Sequence, residues 1–218
     1  LAAYLGQIEE KTLLISASNN FLFPASLVEK PHITIINLHN ALLPAYPGRN
    51  APTWVIYMGE KRTGITWHYV IAGVDEGSII IQKDCEITPD MKAYELTERL
   101  MDLASEAFRE SFAQIMAESV KAREQGFDPG RRMYRSFEVP SDGTFAMTDR
   151  PEEIYRLLRS VDYGKNNIFP PVKTTIDGQA AEILRYRKIP IDKRKDGEEL
   201  LYLPLDGGNL LKIKYHFI

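Results

Sequence analysis

Ile33-Thr34-Ile35-Ile36 is a run of four consecutive apolar or β-branched residues that ends on Asn37-Leu38-His39. Its brevity and β-branched composition mark a buried strand. Side chains alternate along an extended backbone, so Asn37 and His39 leave one face and Leu38 the other. The strand thus carries an amide and an imidazole to its carboxyl end, where both can converge on one small group. A loop punctuated by Pro44, Pro47 and Gly48 follows, then a short helix bearing Trp54. A second strand pattern, Gly64–Val70, leads into Gly73-Val74-Asp75-Glu76-Gly77. A carboxylate in a Gly-flanked turn, returning towards Asn37 and His39, makes a proton-transfer constellation. The same Asp75 also suits a plain turn former or a helix cap.

Asn37-x-His39-x-Ala41-Leu42-Leu43-Pro44, Tyr46-x-Gly48, Gly59-Glu60, Thr63-Gly64-Ile65-Thr66-x-His68 and Gly73-Val74-Asp75-x-Gly77 occur within about fifty residues. Together they resemble the formyltransferases that use 10-formyltetrahydrofolate, a family that includes glycinamide ribonucleotide, methionyl-tRNA and amino-sugar formyltransferases. The resemblance implies Asn37, His39 and Asp75 as catalytic residues. It implies a folate site in which the backbone at Asn20 and Leu22 meets the pterin edge, with Phe21, Gly73 and Val74 beside it. Without it, Ser16–Phe23 reads as an Asn-rich turn capping a helix, with Phe21 and Phe23 in the core. Tyr46, Arg49 and His68 are candidate substrate contacts. Arg49 is either an anion ligand or an exposed charge, and His68 is a candidate contact or a structural histidine. The family precedes this stretch with a β-α-β-α-β half that the sequence does not contain.

The expected fold is therefore α/β: a Rossmann-like, parallel formyltransferase sheet lacking its first half, with the strand ending at Asn37 in its interior. Residues 1–132 would form the catalytic domain. Leu1–Glu10 reads as a helix tail, Thr12–Ser16 as a strand and Pro24–Glu29 as a short helix. Trp54, Tyr57 and Met58 fall at core spacing. Ser78–Gln82 reads as a strand, and Thr88-Pro89-Asp90 as the cap of a long amphipathic helix. Leu96, Leu100, Leu103, Ala107, Phe108, Phe112, Ile115 and Met116 recur near a helical period as its core stripe, before a break over 126–130. Residues 133–218 would hold a linker, the helix Arg150–Val161 and a small β-rich, OB-like unit. That unit's strands would be Val172–Ile176, Ala181–Arg187, Glu199–Leu203 and Leu210–Phe217. The turns Asp177-Gly178, Asp196-Gly197 and Asp206-Gly207-Gly208 separate them. The basic run Lys188, Lys193, Arg194 and Lys195 reads as a solvated loop.

Composition bounds the partners. A net charge of −3 over 218 residues gives no polyanion-binding signal beyond a local patch. One cysteine and four scattered histidines give no disulfide framework and no zinc spacing. No apolar run spans a bilayer, and residues 1–15 lack a signal-peptide core, so the expected setting is cytoplasmic, with no membrane partner and room for a homodimer.

By resemblance the chemistry is attack of an amine on the formyl carbon of 10-formyltetrahydrofolate. Asn37 and a protonated His39 would steady the oxyanion, and Asp75 would shuttle a proton or raise the basicity of His39. No metal is needed. The first-choice acceptor is a small primary amine, with a nucleotide-linked amino sugar first and methionyl-tRNA second. A formyltetrahydrofolate deformylase and a non-catalytic folate-binding remnant are the remaining alternatives.

Overall fold

The computed structural model describes residues 2–126, 132–195 and 197–218. Leu1, 127–131 and Asp196, with the parts of the expected helix tail, break and turn that fall there, lie outside them. The chain forms α1 (Ala2–Leu5), β1 (Thr12–Ser16), α2 (Ala25–Val28), β2 (Ile33–His39), α3 (Ala51–Tyr57), β3 (Arg62–Tyr69), β4 (Ile79–Glu86) and α4 (Ala93–Met116). After a linker come α5 (Pro151–Ser160), β5 (Lys173–Ile176), β6 (Gln179–Pro190), β7 (Leu200–Leu205) and β8 (Asn209–Phe217).

The first sheet has the order β1-β2-β3-β4. β2 lies in its interior, as the apolar run requires. Only β1 and β2 pair in parallel; β2–β3 and β3–β4 are antiparallel. The sheet is thus mixed rather than wholly parallel. The connection from Tyr69 to Ile79 is too short for the crossover that a parallel pair needs, so β3 and β4 pair antiparallel. Alternation along β2 sorts its residues as expected. Ile36 and Leu38 enter the core beneath α4, while Ile33 and Ile35 pack with Leu5 and Leu27 on the other face. Asn37 and His39 continue this second row, which changes from apolar to polar at the strand's carboxyl end.

α4 covers the first sheet through Leu96, Leu100, Leu103, Ala104, Ala107 and Ile115. Full burial of one such leucine contributes about 1.5–3 kcal/mol. Phe112 and Met116 are instead 45% and 58% exposed. The core line runs through Ala107, Ser111 and Ile115, one position before Phe108, Phe112 and Met116. Ser111 is buried because its hydroxyl donates to the Ala107 carbonyl at 2.9 Å, so its polarity hid the true stripe. Met58, expected to pack, is 47% exposed because α3 ends at Tyr57. The cap of α4 is not Asp90: the Glu95 carboxylate accepts from the Lys92 amide at 2.8 Å. Asp90 pairs with Lys188 of β6 instead.

The second sheet, β5-β6-β8-β7, is antiparallel throughout. One face packs Ile183, Leu205, Leu211 and Ile213 against Ile154, Leu157 and Leu158 of α5. The Asp177-Gly178 turn joins β5 to β6, both residues at positive φ (50° and 81°), the twist a two-residue hairpin favours. α5 and the segment after it tie the two units together, with the Tyr163 hydroxyl 2.9 Å from Thr53 Oγ1 of α3.

Candidate active site

The β2–β3 register sets His68 opposite Asn37 and Thr66 opposite His39. On the other side of β2, the parallel pairing sets Ser16, the last residue of β1, beside Asn37. Three strands therefore bring Ser16, Asn37 and His68 into one row. An irregularity in the β3–β4 ladder falls between Trp67 and His68, a place where a strand can re-aim a side chain.

Asp75 sits in the turn after β3 at φ 53°, a left-handed conformation uncommon for a non-glycine residue. Its Oδ2 accepts from the Gly48 amide at 2.7 Å. The carboxylate lies between two buried imidazoles: Oδ2 is 3.4 Å from His39 Nδ1, and Oδ1 is 3.4 Å from His68 Nε2. The side chains of His39, His68 and Asp75 are 6%, 2% and 9% exposed. Burial pushes the Asp75 carboxyl up. The hydrogen bond from His68, the charge of His39, the Gly48 amide and the charge of His68 together outweigh it and hold the group at about 2. Asp75 is thus an anion across the physiological range.

His39 Nε2 is 2.8 Å from the Tyr46 carbonyl. A carbonyl only accepts, so Nε2 carries a proton. Nδ1 faces the Asp75 anion, so the doubly protonated ring satisfies both contacts. His68 Nδ1 donates to the Tyr69 carbonyl at 2.8 Å, leaving Nε2 between the Asp75 carboxylate and Asn37 Nδ2, 3.2 Å away. The Asn37 amide is fixed from its other end. Asn19 Nδ2 donates to Ser16 Oγ at 3.4 Å, and Ser16 in turn donates to Asn37 Oδ1 at 2.8 Å. That orientation sends the Asn37 NH₂ towards His68.

The contacts close into a ring. From Gly48, beside Asp75, the next residue Arg49 reaches the Asn19 carbonyl at 3.3 Å and also hydrogen-bonds Asn20 Oδ1. Asn19 returns to Ser16 and Asn37. Through these contacts Arg49 joins the loop after β1 to the loop that holds Asp75. Tyr46 contributes its carbonyl rather than its ring, whose hydroxyl donates to Glu60 at 2.6 Å. Burial first, then the Glu60 carboxylate, raises that phenol well above its usual range. His68 proves to be both a buried structural histidine and a member of the carboxylate cluster.

Four supporting residues went unrecognised in the sequence. Ser16 and Asn19 set the orientation of Asn37; only the position of Ser16 at a strand end hinted at this. Gln125 Nε2 donates to the carbonyls of Asp75 (2.9 Å) and Gly77 (2.7 Å), clamping the turn from fifty residues away. Tyr134 lies in the linker, 6% exposed. Its amide donates to the Pro47 carbonyl at 3.0 Å, and its carbonyl accepts from the Arg49 amide at 2.8 Å. Its ring stacks between Tyr46 and Trp54, with centroids at 5.9 and 4.3 Å. A Cβ on Gly48, at φ 93°, would come 2.2 Å from the Tyr134 carbonyl oxygen. The linker thus forms the floor under the amide that holds Asp75.

Leu22 is 76% exposed, and its backbone groups and those of Asn20 have no partner among the described residues. An apolar side chain beside unpaired backbone donors and acceptors fits a flat heteroaromatic ring with a hydrogen-bonding edge. Val74 is 38% exposed on the Asp75 turn with Gly73, and Phe21 is half-buried against Phe23.

Residues 6–112 match the model of a family described as formyl transferase. A methionyl-tRNA formyltransferase of Alkaliphilus oremlandii is 29% identical over 212 residues, 93% of this chain and 65% of that protein. One from Geobacter metallireducens is 28% identical over 173 residues, covering 79% and 53%. The chain spans between half and two-thirds of the length of these relatives. Among solved structures, an N-formyltransferase from Helicobacter canadensis, in complex with folinic acid and dTDP-3-aminofucose, superposes with a TM-score of 0.73 at 15% identity. The match covers 99% of this chain and 78% of that one. HypX from Aquifex aeolicus with tetrahydrofolic acid gives 0.72 at 15%, covering 97% and 36%. Over 6–112 the chain is similar in sequence to the formyltransferases, and it shares their fold.

Proposed function

We propose that this chain transfers the formyl group of 10-formyltetrahydrofolate to a primary amine. The observation that carries the reading is the closed ring Ser16–Asn37–His68–Asp75–Gly48/Arg49–Asn19 with His39 on the Asp75 carboxylate. It joins a charged proton-handling cluster to the loop suited to a heteroaromatic ring. The donor supplies an activated one-carbon unit, and the backbone of Asn20 and Leu22, with Gly73 and Val74 opposite, would hold it.

The chain's own residues do the following. Asn37, its amide oriented by Ser16, can direct an N–H at an oxygen bearing developing negative charge. His39, kept protonated between Tyr46 O and the Asp75 anion, is the second donor. Its Nε2–H must be shared with or taken from the Tyr46 carbonyl to reach an oxyanion. With its carboxyl near 2, Asp75 is a feeble base in the resting site. Its role is to stabilise the charge of His39 and to set the ring's orientation, which favours the second of its two expected roles over direct proton shuttling.

The acceptor we propose is a small amine, with a nucleotide-linked amino sugar first. The solved neighbour that matches 99% of this chain carries dTDP-3-aminofucose, and the net charge of −3 offers no broad surface for a polyanion. Methionyl-tRNA is the second reading, favoured by the names of the sequence relatives. Turnover with 10-formyltetrahydrofolate and each acceptor separates them, as does salt. A protein contacting six or more phosphates loses roughly 10³-fold or more in affinity from low to physiological salt. A shallow slope with sugar-nucleotide turnover supports the first reading; formylation of methionyl-tRNA with a steep slope replaces it. No turnover with any amine, despite folate binding, leaves the non-catalytic alternative.

A further inference from the structure

β6 and β8 pair Arg185 with Lys214 and Arg187 with Lys212, each directly across the ladder. Two like-charged cross-strand pairs thus stand side by side on one face, opposite the face that packs on α5. Like charges directly opposite in an antiparallel pair are destabilising. Among the described residues none of the four makes an ion pair, and Lys212 alone has a partner of another kind, the Tyr202 ring at 5.8 Å. Strand geometry sets the four Cβ atoms at the corners of a patch roughly 5 by 7 Å.

All four line a cavity of about 1150 Å³. Lys92 and Lys193 extend its positive lining; the acids there are Asp162 and Glu198. Asp162 is already engaged by Lys92 at 2.8 Å and by the Tyr186 hydroxyl at 2.6 Å. The segment after α5 also lines it, with Ile168 50% exposed beside Phe169. The cavity therefore joins a compact block of unpaired cations to an apolar wall.

We propose that this cleft is a binding site for a diphosphate-bearing ligand of nucleoside diphosphate type, separate from the site at Asp75. Two adjacent cation pairs match two adjacent phosphates, and arginine forks suit phosphate oxygens. The apolar wall offers a surface for a base. Concentration of charge decides for a compact ligand over an extended nucleic acid. Residues 172–218 hold nine Lys and Arg against seven Asp and Glu, so the cations are gathered at the cleft rather than spread over a basic surface.

Calorimetry on the full chain tests this with inorganic pyrophosphate and ADP as probes, alone and in competition, and with a short single-stranded RNA. One equivalent of each diphosphate should bind, ADP displacing pyrophosphate. The double variant R187Q/K212Q removes a repulsive pair, so its fold is retained. It should weaken pyrophosphate by about tenfold or more, the scale of losing charged hydrogen bonds. Asp75→Asn should leave that binding unchanged, whatever it does to formyl transfer. The proposal is overturned by absence of heat with both diphosphates, by equal affinity in R187Q/K212Q, by loss of binding in Asp75→Asn, or by binding of RNA alone.

Discussion

At the carboxyl end of β2, charges are placed face to face with their opposites. Asp75 has a histidine on each carboxylate oxygen and a backbone amide besides. On the outer face of the second sheet, charges are placed beside their own kind, Arg185 against Lys214 and Arg187 against Lys212. The first arrangement is buried and self-sufficient, and it holds groups in fixed protonation states and orientations, as a site that acts on a bound substrate needs. The second is exposed, and among the described residues no acid pairs with its four cations. Burial explains the contrast. An unpaired charge at the 9% exposure of Asp75 would cost several kcal/mol, whereas exposed cations keep most of their hydration. One sheet can therefore leave charge uncompensated, and the other cannot.

The largest expected effect tests the self-sufficient site. Asp75→Asn keeps the size of the side chain and the turn but removes the anion between two imidazoles. Turnover should fall by about 10³-fold, at the upper end of what loss of one preorganised electrostatic group costs. Near-normal formyl transfer would reduce Asp75 to a turn former. The same residue gives a signature in stability. Its carboxyl lies at about 2, below the ordinary 3.8. The stabilisation is thus fully present above pH ~4 and lost as pH falls through about 2, amounting to roughly 2 kcal/mol. Acid unfolding of Asp75→Asn should lack that component. His39→Ala and Asn37→Ala should each lower turnover about 10²–10³-fold with folate binding largely kept. These losses will not add, because the groups act as a unit.

Much of this site could be read from the sequence because its residues sit on regular strands. The alternation of β2 placed Asn37 and His39 together, and the glycines around Asp75 marked its turn. What could not be read is carried by backbone and by distant amides. Tyr134 acts through its N–H and C=O, which leave no trace in side-chain chemistry. Gln125 reaches Asp75 across fifty residues with no periodic pattern to announce it. In α4 the expected stripe included the buried Ala107 and Ile115, but the polar Ser111 between them took a core position through a local hydrogen bond, while Phe112 and Met116 stayed exposed. The like-charged pairs of the second sheet were hidden for another reason: hairpin turns mark strands, but register decides who faces whom.

A smaller effect should follow from disturbing the floor of the site rather than its charges. In Gly48→Ala the added Cβ meets the Tyr134 carbonyl, so the amide that donates to Asp75 must shift. We expect kcat to fall about 10–10²-fold, since small misplacements cost on that scale, with KM for the folate nearly unchanged and the pH–rate profile displaced. Tyr134→Phe keeps the stack and the backbone pairing and should restore nothing because it loses nothing. A rise in KM with kcat unchanged would mean that Gly48 contributes only to binding.

The smallest expected effect concerns the exposed face, and its sign is opposite to that of most substitutions. Replacing Arg187 by Thr removes one member of a like-charged cross-strand pair and puts a good strand former in its place. Such pairs contribute about 0.2–1 kcal/mol, so the unliganded variant should be more stable by that amount, a rise of about 0.4–4 °C in Tm for a chain of this size. Salt sharpens the test. Screening acts over about 10 Å at 0.1 M, so added sodium chloride should stabilise the native chain through the exposed cations and do so less in Arg187→Thr. The Asp75 cluster, being buried, should respond little in either. A variant that is less stable at every salt concentration would show that Arg187 is compensated within the protein. The contrast between the two sheets would then fail on this side.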